Sequence, residues 1–125
     1  MNAEYLLIAG GLFNVAFALF HLLFWKLFRW HEELAKLSGL NRAIVQVLNL
    51  CLTFVFVIFA YVSFAHAGEL LGTALGRSLL LLIGTFWYLR AIEHVWLFRV
   101  RNRASHVFLV LFLIGGSLYV IPLFL

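Results

Sequence analysis

Four apolar runs set what this chain can fold into: Tyr5 to Trp25, Ala43 to Phe64, Leu70 to Phe98 and His106 to Leu125. A bilayer core about 30 Å thick is crossed by about 20 helical residues, and each run is long enough. Strands do not fit, because the runs are too long for barrel strands, lack strict alternation and are too few to close a barrel. The expected fold is all-α, a polytopic membrane protein with four transmembrane helices in a bundle. One domain covers residues 1–125, with helices at about 5–25, 43–64, 70–98 and 106–125. The third run exceeds what a crossing needs, so it tilts or projects.

Composition points the same way. Apolar residues make up 66% of the chain and charged residues 11%, against about 45–50% and about 25% in soluble domains. A small soluble domain leaves much of its surface exposed and could not bury that many apolar side chains, so lipid is the expected outer partner. The net charge is +4. The cations flank apolar runs, as membrane anchors do, instead of forming a solvated stripe, and nucleic acid is excluded as a partner. Cys51 is the single cysteine, which excludes an internal disulfide and chemistry that needs a cysteine pair. The start Met-Asn-Ala-Glu is not basic, and no small-residue cleavage site precedes Lys26. The first run therefore reads as a spanning helix and not as a cleaved signal.

The segment between the first two runs, residues 26–39, carries Leu27, Trp30, Leu34 and Leu37 on one helical face and Lys26, Arg29, Glu33 and Lys36 on another. This predicts an amphipathic stretch lying at the interface, stopped by Gly39, with Asn41 capping the second helix. Gly68 marks the second turn, and Asn102 or Ser105 caps the fourth helix. Loop one holds Lys26, Arg29, Lys36 and Arg42, and loop three holds Arg99, Arg101 and Arg103, whereas loop two and its flanks offer only Arg77. Cations stay on the cytoplasmic side, so loops 1 and 3 are expected there and both termini outward. Trp25, Trp30 and Trp96 fall near that same interface as an aromatic belt.

At about 1.5 Å per residue along each helix, the topology brings seven polar groups to one depth: His21, Gln46, Asn49, Arg90, Glu93, His94 and His106. Arg90 can reach Glu93 at i+3 or His94 at i+4, and since charges in hydrocarbon usually pair, an Arg90–Glu93 pair is expected. The opposite half holds the small residues: Gly10 and Gly11, then Gly68, Gly72 and Gly76, then Gly115 and Gly116. Small residues let backbones approach. Gly72, Gly76, Gly115 and Gly116 are therefore helix-packing candidates, within the bundle or at a homo-oligomer interface. A tight outward half leaves a looser cytoplasmic half, with a cavity opening toward the cytoplasm or inner leaflet.

The plainest reading of the polar cluster is a helix–helix hydrogen-bond network with interfacial anchors. Three sharper readings compete with it. In the first, an aromatic-walled pocket with Arg90, Glu93 and His94 at its mouth holds a lipophilic small molecule, and Glu93 or His94 acts as acid or base. In the second, His21 and His94, with His106 in reserve and Glu93 behind them, ligate a metal or a b-type haem, although no His-x-x-x-His spacing supports it. In the third, the chain is a small proton-coupled transporter or channel, but small multidrug transporters need a membrane-embedded carboxylate in helix one, and Glu4 is too close to the terminus.

The stretch Phe13-Asn14, Phe20-His21, Trp25, Asn41-Arg42, Gln46 and Asn49 resembles short membrane proteins of bacterial genomes, and the four-helix layout is similar to DoxX-like membrane proteins. The resemblance implies a bacterial inner membrane and no particular activity. The expectation is a small inner-membrane binding or accessory protein with a cytoplasm-side polar pocket for a lipophilic ligand or a partner helix, whether from a second copy or from another membrane protein.

Overall fold

A computed structural model describes residues 2–98 and 102–125. Helix α1 spans Ala3–Leu22, opened by Asn2, whose side chain accepts from the Glu4 backbone N–H at 2.8 Å. Two one-turn helices follow, α2 (Phe24–Leu27) and α3 (Trp30–Glu33), and then a 3₁₀ turn at Leu34–Lys36. Helix α4 spans Gly39–Ala65, α5 Ala67–Gly72, α6 Ala74–Leu97 and α7 Arg103–Val120, before a closing 3₁₀ turn at Ile121–Phe124. The described residues contain no strand. Helices α1, α4, α6 and α7, the last counted with its 3₁₀ turn, are long and apolar enough to cross a bilayer. The fold is therefore an all-α helical membrane bundle.

Caps correct several expected boundaries. Ser38, not Asn41, caps α4: its hydroxyl accepts from the Asn41 N–H at 3.3 Å, so Gly39 opens the helix instead of stopping the preceding one. The segment 26–39 is not one amphipathic helix. Arg29 adopts a left-handed backbone (φ 54°, ψ 45°) that breaks it between α2 and α3, and Arg42 ties the end of the break to α4 through the carbonyls of Leu34 and Leu37 at 3.0 and 3.1 Å. The third run is also interrupted. Thr73 is extended and caps α6 by accepting from the Gly76 N–H at 2.9 Å, which separates α5 from the spanning helix. Asn102 caps α7 through the Ser105 N–H at 2.9 Å and places His106 in the first turn. Arg99 and Arg101 lie outside the described residues.

Helix α1 packs closely on α4, α7 packs closely on α6, and α1 meets α7. Glycines set these distances. A Cβ on Gly11 would meet the Phe64 ring, and one on Gly10 the Tyr119 ring. Methyl groups on Gly84, Gly115 and Gly116 would strike Val120, Phe13 and Tyr88. At Gly76 the α5 backbone lies 2.2 Å from where a Cβ would stand. Gly68 and Gly72 face open space and serve no packing within the bundle. The helices α4 and α6 meet differently, through large rings: Phe56 stacks on Trp87 with centroids 5.1 Å apart, and Phe86 abuts Phe56 and Phe59.

Polar atoms lock the glycine-rich half. Asn14 Nδ2 donates to the Gly10 carbonyl and to the Tyr119 hydroxyl, each at 2.9 Å. Ser63 donates its one proton to the Phe59 carbonyl at 2.6 Å, so the Tyr119 hydroxyl must donate across the 2.7 Å to Ser63 Oγ. Asn14, Ser63 and Tyr119 are fully buried and join α1, α4 and α7. Outside, Leu12, Leu48, Phe54, Leu82, Ile92 and Val110 stand exposed on the four long helices. Exposed apolar surface on this scale suits hydrocarbon and not water.

Candidate functional site

Five phenylalanines, Phe13, Phe17, Phe20, Phe24 and Phe28, recur at steps of three or four along α1 and α2, which lines them along one helical face. Phe108 and Phe112 do the same on α7. Where these stripes meet Phe56, Phe86 and Trp87, the rings leave a cavity of about 350 Å³. It lies at the end of the bundle that carries both the α1–α4 connection and Phe98, and Trp30 of α3 lines it from above. Ligand sites in proteins have this character: about 300–1,000 Å³, apolar and aromatic walls, and a few placed polar groups.

Three polar side chains line the cavity: His21, Arg90 and His94. His21 sits near the end of α1, held by Asn49 of α4. Asn49 Nδ2 donates to the His21 carbonyl at 3.0 Å, which orients the amide, so Asn49 Oδ1 accepts from His21 Nδ1–H at 2.7 Å. That tautomer leaves Nε2 with a lone pair. His94 is buried on α6 and lies 2.9 Å from the Ser105 carbonyl through Nε2. A carbonyl only accepts, so Nε2 bears the proton and Nδ1, buried without a partner, is a free acceptor in the neutral ring.

Arg90 stands one turn before His94. Its guanidinium lies over the faces of Phe112 and Phe98, 4.5 and 5.4 Å from their centroids. The expected ion pair with Glu93 does not form. Among the described residues the salt bridges are Arg29–Glu32, Lys36–Glu33 and His66–Glu69, all on short or terminal segments. An i+3 spacing permits contact but does not compel it. Arg90 turns onto the rings of α7, and Glu93 is only half-buried and outside the cavity wall.

The structure thus divides the seven candidates. His21, Arg90 and His94 line one cavity. Asn49 supports His21 from α4. Gln46 lies nearby, accepting from Trp25 Nε1 at 3.0 Å and donating to the Arg42 carbonyl at 3.2 Å. Glu93 and the exposed His106 stand outside. Among the described residues no group of three or more His, Cys, Asp or Glu is arranged to hold a metal. His21 and His94 remain the two imidazoles that could each ligate iron or another metal, since each has its second nitrogen fixed by a protein oxygen, as ligand imidazoles do.

Sequence reasoning missed Trp87, whose indole Nε1–H is buried in the wall without an acceptor. Its spacing signalled it: Trp87, Arg90, Ala91 and His94 follow a helical i, i+3, i+4, i+7 pattern. It also missed that Ser105 would meet His94, and it missed the Ser63–Tyr119 pair, contacts that no period marks. No family model matches the chain, nor does any curated protein or solved structure.

Proposed function

We propose that this protein binds a lipophilic small molecule taken from the bilayer, and that the aromatic cavity between α1, α4, α6 and α7 is its site. The observation that carries the reading is that cavity's composition: rings on every side and only Arg90, His21 and His94 to orient a polar head. A cavity merely left by imperfect packing would have no reason to collect an arginine, because a charge at membrane depth is costly unless something answers it.

The cavity end also carries Lys26, Arg29, Lys36, Arg42 and Arg103. We place that end in the cytoplasm and both termini outward, by the retention of cations on the cytoplasmic side. We also propose a bacterial inner membrane, on the sequence resemblance of the N-terminal half alone.

The test is native mass spectrometry of protein purified in mild detergent. Wild type should retain a small molecule. Leu52→Trp, which fills the cavity from α4, should lose it, and Leu48→Trp on the exposed face of the same helix should keep it. Wild type with no retained or added lipophilic ligand, or equal retention in both variants, would sink the proposal.

A second reading has one observation behind it, the two cavity imidazoles with outer nitrogens fixed by Asn49 and Ser105. It makes the occupant a haem or a metal ion. A visible absorption spectrum with elemental analysis decides it. A Soret band or a stoichiometric metal, abolished in both His21→Ala and His94→Ala, would replace the first reading.

A further inference from the structure

Arg90 forms no ion pair with any described carboxylate. An arginine keeps its charge at any ordinary pH, and inside a membrane such residues pair with a carboxylate, line water or mark a functional site. All five acidic residues of the sequence are glutamates, and all lie among the described residues. Three of them are taken by Arg29, Lys36 and His66. Glu4 opens the opposite end of the bundle, and Glu93 is near enough for its charge to be felt at Arg90 but makes no ion pair with it. Among the described residues Arg90 makes no hydrogen bond either. Its guanidinium does not snorkel along the lipid face beside Leu89 and Ile92, which are exposed. It lies over Phe112 and Phe98 and lines the cavity.

A second donor stands one turn away. Trp87 is 1% exposed, and its Nε1–H has no acceptor. Buried donors without partners are uncommon in native proteins. The cavity therefore offers a permanent cation with no ion pair, beside a buried indole N–H that has no acceptor, among rings that would hold an apolar body.

We infer that the occupant of the cavity is an amphiphile with an oxyanion head, a carboxylate or a phosphate monoester, set against Arg90. This rests on reading the cavity as a site for a lipophilic ligand. At about 30 Å³ for a water-sized group, a cavity of about 350 Å³ takes roughly a dozen heavy atoms, so a carboxylate head with about nine further carbons, or a phosphate head with about seven, fits inside and the rest of a longer chain extends out.

The experiment is saturable quenching of tryptophan fluorescence in detergent-solubilised protein by bromine-tagged decanoate, its methyl ester, and bromine-tagged decyl phosphate. Charge-assisted hydrogen bonds set the scale: the acid or the phosphate should bind wild type about ten- to a hundredfold tighter than the ester. The tighter of the two anions identifies the head. Arg90→Gln should bring anion and ester within about twofold, and Arg90→Lys, which keeps the charge, should retain most of the preference. Thermal unfolding of each variant shows that it is folded. Saturable binding of acid and ester with equal affinity overturns the oxyanion head and leaves the lipophilic site standing, as does a preference that survives Arg90→Gln. Absence of saturable binding by any probe overturns both.

Discussion

Asn49 holds His21 twice: its Oδ1 accepts from the imidazole Nδ1 at 2.7 Å, and its Nδ2 donates to the His21 carbonyl at 3.0 Å. The two bonds fix the ring's tautomer and its place in the cavity wall, and they also join α1 to α4. Asn49→Ala should therefore cost about 1–2 kcal/mol, from roughly 0.6 kcal/mol for an average interhelical bond in a membrane bundle and more for those left unpaired. Thermal or denaturant unfolding in detergent measures it. A loss below a few tenths would mean that the pair does not join the helices.

In the other half, Tyr119 links Asn14 to Ser63. Tyr119→Phe leaves an Asn14 N–H without its acceptor in a fully buried place and should cost about 1–2 kcal/mol. Ser63→Ala removes the oxygen that takes the phenolic proton. In a double-mutant cycle with Tyr119→Phe, the two should couple by about 0.5 kcal/mol or more. Additive effects would show that the two hydroxyls do not interact.

The glycines separate by what a methyl would meet. Gly76→Ala drives a Cβ against the backbone of Glu69 and Leu70, which cannot swing aside, and should cost about 1–3 kcal/mol. Gly116→Ala meets the Tyr88 ring, which can turn, and should cost less. Gly72→Ala meets nothing and should be neutral or slightly stabilising through helix propensity. Melting temperatures of the three variants give the order, and a severe loss at Gly72 would point to a contact with another chain.

Arg90 yields a prediction of opposite sign. Arg90 is half-buried and makes no ion pair, so its charge carries a desolvation cost with no paired partner to offset it. In delipidated, ligand-free protein, Arg90→Met should leave the melting temperature unchanged or raise it. A fall of several degrees would reveal a structural partner for the guanidinium.

The sequence made the four crossings legible because hydrocarbon imposes length and polarity on every spanning segment. The boundaries were harder to read. Ser38 and Thr73 cap through hydroxyls, and a single hydroxyl leaves no trace in a hydropathy pattern. Residue count along each helix places His21, Arg90 and His94 at one end, but depth does not set rotation about a helix axis. Glu93 and His106 share that depth and stand outside the cavity wall. The repeat of Gly68, Gly72 and Gly76 looked like a packing stripe, yet the extended Thr73 divides it and only Gly76 touches a neighbouring backbone. The phenyl stripe was the readable sign of the cavity: Phe17, Phe20, Phe24 and Phe28 share one helical phase and all line it.

The Asn14–Tyr119–Ser63 chain has a consequence beyond its own energy. Lipid tails are as apolar as leucine, so no hydrophobic force tells these helices which side to present to one another. Each helix is greasy around most of its circumference, and any angle of rotation would dissolve equally well. A handful of proton donors meeting their acceptors, together with clefts that admit one ring and no other, act as the keyway. Without them four helices would still cross the bilayer, but Arg90, His21 and His94 would no longer be assured of facing the same space.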